Sequence, residues 1–283
     1  AMLRIVADAA ANIPPHLLEQ YHITAMPLTY LLDGQPTELV GHDYYEAMRK
    51  GAEVKTSLVS PALIRDTMES ALKDGDDVLY IAISGGISGT CWSAELMAEE
   101  LRGEYPDRMI RVLNTCGASL GEGLVVLEAA KMLEKGCTAD EIIRQAEENC
   151  GRMRQFFMVD DLKYLRKGGR LPAAVAVAGG MLGIKPLITI KEGKVAMAGK
   201  ARGLPGAYVA LFKKIEELGG ISTCADALAG YTLAPREVQP IQTYLQENLG
   251  RNEALVRQIG CVIGTHAGPG AFGLAFLDEG FTF

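Results

Sequence analysis

The chain has 283 residues, 48% of them hydrophobic and 22% charged, so it is long enough for two domains with sizeable cores. Its formal net charge of −7 argues against nucleic acid as the main partner. No window reaches the ~18 uninterrupted apolar residues of a membrane-spanning helix, and no basic-then-apolar signal pattern opens the sequence, so we expect a cytoplasmic protein.

Strands and helices alternate over the first half of the chain. Short apolar runs rich in β-branched residues predict strands, and amphipathic stretches predict helices, one of which opens on a Thr138/Glu141 capping box. This order predicts an α/β domain whose mostly parallel, Rossmann-like sheet carries helices on both faces. The predicted strands cover 3–7, 23–32, 78–83 and 110–113. Two predicted helices cover 43–50 and 61–73, and two others end near 102 and 134.

The strand at 78–83 runs directly into a loop of small residues, 84–90, that precedes a helix. The first N–H groups of a helix lack intrahelical partners, and Gly85 and Gly86 let the backbone approach a bound group, so the loop is suited to an anion. Ser88 could cap the helix or donate its hydroxyl to a ligand. A structural turn without a ligand is an equally good interpretation, whereas a nucleotide P-loop is excluded because the loop has no lysine.

The second half predicts another α/β domain, with a mixed or antiparallel sheet and a hairpin that turns at 192–193. We place the two domains at 1–155 and 156–283. The predicted strands cover 156–159, 184–191, 194–202, 227–232, 261–265 and 271–277, the helices cover 161–167, 205–218 and 235–249, and an uncharged segment of small residues covers 172–182.

The charge differs sharply along the chain. Residues 151–202 contain 11 basic and 3 acidic residues (+8), whereas residues 1–150 contain 12 and 24 (−12). The basic stretch predicts either a solvated face or a surface for an anionic ligand, an acidic protein or an anionic membrane.

The six cysteines and four histidines form no CxxC pair, no zinc-type spacing and no HExxH pattern. They predict reduced thiols rather than a disulfide framework. No GxGxxG follows the first strand, so a dinucleotide site is not predicted. We therefore expect neither a metal nor another cofactor.

Several side chains suited to holding a carboxylate or phosphate follow predicted strands or occupy glycine-rich turns. Ligands of parallel sheets lie beyond the carboxyl ends of the strands, arginine pairs with such anions bidentately, and histidine adds a donor or a charge. His266 could equally be a structural histidine in its turn. The candidates are the hydroxyls of Thr56, Ser57, Ser60, Ser88 and Thr90, the guanidinium of Arg170 and the imidazole of His266.

Three functions other than simple binding of a carboxylate or phosphate at these groups stay open. A hydrolase built from Ser88, His266 and Asp8 is a weak alternative, because residues 86–89 lack the GxSxG spacing of a nucleophile elbow. An enzyme acting on a small acyl or phosphoryl substrate at the same loops is the second. A module that binds a compact, non-lipid ligand is the third.

Six motifs, in order over essentially the whole chain, resemble those of the DegV family. The resemblance implies two α/β domains that enclose a long-chain fatty acid and present its carboxylate at the domain junction. It also implies a bacterial carrier without chemistry of its own, whose bound acid a separate fatty acid kinase phosphorylates to an acyl phosphate. The motifs are Asp8 to Pro14, Thr56-Ser57-x-x-Ser60-Pro61, ISGGISGT at 83–90, Lys167-Gly168-Gly169-Arg170, Gly183-Ile184-Lys185-Pro186 and Gly264-Thr265-His266-x-Gly268-Pro269-Gly270.

The resemblance also implies roles for individual residues. The segment 172–182 would line the tunnel for the acyl tail. Lys200 and Arg202, in the basic stretch, would meet the kinase or an anionic membrane. At the carboxylate, the implied roles are a donor for Thr56, neighbouring hydroxyls for Ser57 and Ser88, and cationic or donor groups for Arg170 and His266.

The sequence departs from the family's pattern at three places. Ala9 and Ala10 stand where Ser and Thr follow the first Asp, Leu58 replaces a Gln, and Gly85 replaces a serine whose hydroxyl contacts the carboxylate in relatives. The departures imply a head-group site that is weaker, shifted or tuned to another lipid.

Overall fold

The computed structural model describes residues 1–175, 182–222, 225–250 and 255–278. The strands within these ranges are β1 (Leu3–Asp8), β2 (Thr24–Met26), β3 (Thr29–Leu32), β4 (Gln35–Pro36), β5 (Val54–Ser57), β6 (Asp77–Ala82), β7 (Ile110–Asn114), β8 (Met153–Met158), β9 (Ile184–Lys191), β10 (Lys194–Arg202), β11 (Leu228–Tyr231), β12 (Leu255–Gln258) and β13 (Phe272–Leu277). The α-helices are α1 (Pro15–Gln20), α2 (Gly41–Arg49), α3 (Pro61–Lys73), α4 (Thr90–Glu104), α5 (Leu120–Glu134), α6 (Ala139–Arg152), α7 (Lys163–Lys167), α8 (Gly203–Glu217), α9 (Gln239–Leu249) and α10 (Cys261–Ala267).

Four parallel strands form the first sheet, in the order β2-β1-β6-β7. Its central strands are buried on both faces. Ile5 and Ile81 belong to one core cluster, whereas Val6 and Tyr80 belong to a second. This alternation along each strand is what a parallel sheet covered on both faces requires. The predicted α/β class is confirmed.

Six strands form the second sheet, in the order β10-β9-β8-β13-β11-β12. Neighbouring strands are antiparallel except β11 and β12, which are parallel. The predicted hairpin joins β9 and β10, and its turn has positive φ at Glu192 (54°) and Gly193 (79°), as a two-residue type I′ turn requires. The predicted mixed sheet is confirmed.

Helix α5 packs between the two sheets. Its residues 124–127 are fully buried and share a core cluster with Ile5 of the first sheet and Phe157 of the second. A helical turn that is apolar on all sides needs such an environment. Gly123 permits the close packing, because a Cβ there would overlap the carbonyl oxygen of Ala11. The two sheets therefore share one core.

Residues 261–265, predicted as a strand, instead begin helix α10, so that prediction is wrong. Their β-branched residues favour a strand locally, but tertiary contacts decide the conformation. Helix α2 buries Tyr44 and Tyr45 beside α10, and the Tyr44 hydroxyl bonds Thr265 Oγ1 at 2.7 Å. The Tyr45 ring lies against Gly264, where a Cβ would overlap it. These contacts fix the helix that carries His266.

The predicted extended segment 23–32 is divided between two sheets. Strand β2 joins the parallel sheet, whereas β3 joins a small sheet of order β4-β3-β5. Pro27 lies between them and cannot donate a ladder hydrogen bond. In the small sheet, Tyr30 of β3 pairs with Thr56 of β5, which sets the position of the first candidate site residue.

Two expectations stay predictions. The proposed division between residues 155 and 156 falls within strand β8. Within the uncharged segment 172–182, residues 176–181 lie outside the described residues. In the described part of the chain, no helix has the length and apolar character needed to cross a membrane.

Candidate functional site

Thr56 and His266 are hydrogen-bonded although 210 residues separate them in the sequence. Thr56 lies on β5, and His266 lies near the end of α10. Thr56 Oγ1 and His266 Nε2 are 2.8 Å apart, and the tautomer of the ring decides which atom donates. Two of the residues predicted from the sequence thus form the centre of the candidate site.

The imidazole of His266 is neutral at pH 7. Burial and the positive charge of Arg170 lower the pKa of His266 to about 4. Its Nδ1 is buried, and the described residues offer this atom no hydrogen-bond partner. The site therefore holds a neutral ring with one of its two nitrogens bonded.

Arg170 reaches the site from the turn that ends α7. The backbone N–H groups of Arg170 and Gly169 donate back to the last turn of the helix in a Schellman motif, for which Gly169 adopts a φ of +72°. The guanidinium donates to the carbonyl oxygens of Gly168 (2.6 Å) and Ile87 (3.1 Å). A Cβ at Gly168 would overlap His266 Nδ1. The glycine pair therefore lets the turn and the imidazole pack together.

Two cavities of opposite character meet at Arg170 and His266, which line both. The first, the apolar cavity, has a volume of about 60 Å³, and the second, the basin, has about 490 Å³. The apolar cavity is lined mainly by Ile87, Phe157, Leu165, Ile188, Val195 and Ile263. The basin is bordered by Glu53, Lys55, Thr56, Tyr164 and Lys167.

The apolar cavity offers almost no free polar group to a ligand. Its Gln155 side chain donates to the carbonyl oxygen of Ala118 (2.8 Å) and accepts from the N–H of the same residue (3.2 Å). The cavity is smaller than the roughly 300–1,000 Å³ of sites that enclose a whole organic ligand. A long apolar chain would therefore have to push the lining side chains apart.

Ser57 and Ser88 do not line either cavity. The Ser88 hydroxyl bonds Thr90 Oγ1 (2.9 Å) and accepts from the Thr90 N–H (3.2 Å), and Thr90 Oγ1 accepts from the Val59 N–H (3.3 Å). Ser57 is exposed and pairs with Thr29 on β3. Ser88 is thus linked through Thr90 to the segment after β5, and neither serine is among the residues that line the two cavities.

Gly85 and Gly86 lie where other groups pack tightly on the loop. A Cβ at Gly85 would lie 2.7 Å from the ring of Trp92, whose Nε1 donates to the Gly85 carbonyl oxygen (3.0 Å). A Cβ at Gly86 would lie 2.5 Å from the carbonyl oxygen of Gly193 in the β9–β10 turn. The Ser84 hydroxyl donates to that same oxygen (2.6 Å). A side chain at position 85 would therefore meet Trp92.

The residues of the weak hydrolase alternative have separate partners. His266 bonds Thr56, and Ser88 bonds Thr90. The Asp8 carboxylate is fully buried and accepts from the Tyr80 hydroxyl (2.5 Å). The described residues contain no Ser/His/Asp hydrogen-bonded chain of these three, and no group of three or more His, Cys, Asp or Glu placed to hold a metal ion.

Lys55, Tyr164 and Lys167 border the basin but were not among the residues predicted for the site. Lys167 stands in the Lys167-Gly168-Gly169-Arg170 motif, and Lys55 precedes Thr56 on an exposed strand. Both positions offered a signal, because a lysine next to a predicted anion ligand adds positive charge. Tyr164 offered none, since its place depends on how α7 packs on α10.

A family model described as "Uncharacterised protein, DegV family" matches residues 2–279. The chain belongs to the DegV family. A DegV domain-containing protein of Deinococcus radiodurans is 33% identical over 283 residues, covering 96% of this chain and 97% of the relative. One of Clostridium perfringens is 30% identical over 282 residues, covering 97% of each.

Solved structures of the family share the fold. A fatty-acid-binding DegV family protein from Thermus thermophilus has a TM-score of 0.88 and 32% identity, covering 98% of this chain and all of the other. A fatty-acid-binding DegV protein from Bacillus subtilis has a TM-score of 0.83 and 27% identity, covering 99% of this chain and all of the other. A stearic-acid-binding protein from Eubacterium ventriosum has a TM-score of 0.83 and 25% identity, covering 98% of each chain.

Proposed function

We propose that this DegV protein binds a long-chain fatty acid, with its carboxylate at Thr56, Arg170 and His266 and its tail in the apolar cavity. One observation carries the proposal: an apolar cavity and a cation-bordered basin meet at Arg170 and His266. A fatty acid has the same division between an apolar chain and an anionic head. Structural relatives named as fatty-acid-binding proteins support this assignment.

The tail would supply most of the affinity. Burying a chain of about 16 carbons at ~0.8 kcal/mol per CH₂ offers on the order of 10 kcal/mol, less what is needed to open the narrow cavity. The few polar groups would orient the molecule. Arg170 is held by two carbonyl oxygens before any ligand arrives, so its position needs little rearrangement.

In this arrangement the carboxylate faces the basin. The proposed role is therefore that of a carrier, which holds the acid while a separate kinase phosphorylates the exposed carboxylate. Lys55 and Lys167 border the basin and would favour an approaching phosphoryl group. The protein itself would supply no catalytic residue, and no cofactor is needed for this role.

The first test is native mass spectrometry of the protein as purified, with extraction and identification of any released molecule. We expect a mass increase matching one fatty acid of 14 to 20 carbons per chain. A protein that stays unshifted after delipidation and incubation with a panel of fatty acids would contradict the proposal. Turnover of acyl or phosphate esters without bound lipid, lost in His266→Ala, would instead support an enzyme.

A further inference from the structure

His266 stands among positive charges. Arg170, from the turn after α7, lines both cavities with it. Lys55 of β5 and Lys167 of α7 border the basin side. Of the residues that border the basin, Glu53 is the acidic one, and it is exposed. A further positive charge, on the imidazole, therefore has little local compensation.

The other neighbours of His266 are neutral hydrogen-bonding groups. Thr56 of β5 is hydrogen-bonded to Nε2 of His266, and Tyr164 of α7 borders the same basin as His266. On α10 itself, Thr265 is bonded to Tyr44 of α2. An imidazolium needs two acceptors, because both ring nitrogens then carry hydrogen. Thr56 provides one, and His266 Nδ1 has none among the described residues.

A carboxylate bound at Arg170 would supply both the negative charge and the second hydrogen-bond acceptor that an imidazolium needs. Its negative charge would offset the guanidinium, and its oxygens would add hydrogen-bond acceptors beside the ring. We propose that this site binds a carboxylate together with one proton, which His266 takes up to form an imidazolium–carboxylate pair. This inference rests on the proposed function, and it specifies the charge state of the bound complex.

The proposal fixes the sign of the pH dependence. Because the bound state holds a proton that the free state lacks, the affinity for a fatty acid rises as the pH falls, by up to tenfold per pH unit. The lower limit of this window is the higher of two pKa values, that of the free acid's own carboxyl group and that of His266 in the free protein, which is about 4. The upper limit is the higher pKa of the same ring in the complex. A ligand without charge should show no such dependence.

The test is calorimetric titration of delipidated protein with dodecanoate at pH 6.5, in two buffers of different ionisation enthalpy. We expect the heats to differ by an amount corresponding to uptake of between half a proton and one proton per dodecanoate bound. Dodecanol, which has the same tail without the carboxylate, should bind with no proton uptake. The variant His266→Gln should bind dodecanoate more weakly and without uptake.

The outcomes separate this inference from the proposed function. Failure of dodecanoate and longer acids to bind at all would overturn both. Binding with buffer-independent heat would overturn the proton uptake alone, as would uptake that persists in His266→Gln. If that variant does not fold, NMR of histidine-labelled wild-type protein follows the ring directly, and a His266 signal that stays neutral in the complex at pH 6.5 would overturn the inference.

Discussion

Two polar clusters of this DegV protein can be compared: the half-buried Thr56, Arg170 and His266 at the candidate site, and the fully buried Asp8, Tyr80 and Glu122 in the core. In both, burial works against the charged form of a titrating group. It lowers the pKa of His266 and raises the pKa of Glu122. The first cluster borders two cavities, whereas all three residues of the second are 0% exposed.

The two clusters differ in whether a ligand can reach them. A ligand can bring a compensating charge to the first cluster, so the cost of burial becomes a preference for an anion. In the second cluster, burial and the neighbouring carboxyl of Asp8 raise the pKa of Glu122, whose oxygens have no hydrogen-bond partner by geometry among the described residues. Only a proton can neutralise it. The same physics thus yields a binding site in one place and pH-dependent stability in the other.

The largest effect is expected from Gly168→Ala, which disrupts the geometry of the first cluster. The new Cβ would overlap His266 Nδ1, so the imidazole must leave Thr56 or the turn must shift. We expect about 2–3 kcal/mol of lost stability by chemical denaturation, as for overpacked sites. Dodecanoate affinity should fall at least tenfold.

Gly169→Asn is the matched control for Gly168→Ala. Space around Gly169 is open, and asparagine tolerates its left-handed conformation. We expect the control to keep both the stability and the dodecanoate affinity near those of the wild type. Equal losses in the two variants would contradict the role assigned to Gly168.

The next largest effect is expected in the second cluster, where Glu122→Gln should stabilise the protein at neutral and alkaline pH. The pKa of Glu122 is higher folded than unfolded, so its contribution to stability is complete below the ordinary value of 4.5 and is lost as the pH rises toward the folded pKa. A neutral amide removes that loss. We expect a gain of about 1–2 kcal/mol at pH 8 and a flatter pH profile in denaturation experiments.

Glu99→Gln, at an exposed position of α4, is the control for this second effect. Its stability should follow that of the wild type within about 0.5 kcal/mol at every pH. If Glu122→Gln were no more stable at pH 8 than at pH 5 relative to this control, Glu122 would not be the group that holds the proton.

The two clusters also differ in how far the sequence predicts them. The alternation of strands and helices follows from local patterns, because each strand buries its own side chains on predictable faces. The resemblance to the family identified Thr56, Arg170 and His266. Their meeting depends on helix α10, which local propensity assigned to a strand because it cannot register Tyr44 and Tyr45 packing from another part of the chain.

Other parts of the site required packing information of the same kind. The loss of a hydroxyl at Gly85 suggested a weakened head-group site, yet in the fold this position faces Trp92 rather than either cavity. The burial of Glu122 near the carboxyl of Asp8 was not predicted at all. Glu122 stands in the otherwise apolar first half of α5, residues 120–127, and an acidic residue in such a stretch was the signal that could have indicated it.

A smaller effect is expected from Gly85→Ser, which asks whether the first cluster extends into this loop. The added Cβ would displace the exposed edge of Trp92 and break its hydrogen bond, at a cost of about 1 kcal/mol. The single tryptophan of the chain should report this as a red-shifted fluorescence emission. Dodecanoate affinity should stay unchanged; a clear gain would place position 85 at the head group instead.

The smallest effect is expected from reversing the charge of two exposed residues on β10, outside both clusters. Lys200 and Arg202 are exposed on β10, and the resemblance to the family implies that they meet the kinase or an anionic membrane. In the double variant Lys200→Glu/Arg202→Glu, binding to vesicles with 30% phosphatidylglycerol should weaken several-fold and lose part of its salt dependence, because surface charges act at long range. Stability and dodecanoate affinity should not change, since exposed charges that solvent and salt screen contribute little to either. Unchanged vesicle binding would mean that this surface does not meet a membrane. A parallel loss of dodecanoate affinity would mean that surface charge, rather than the first cluster, selects the carboxylate.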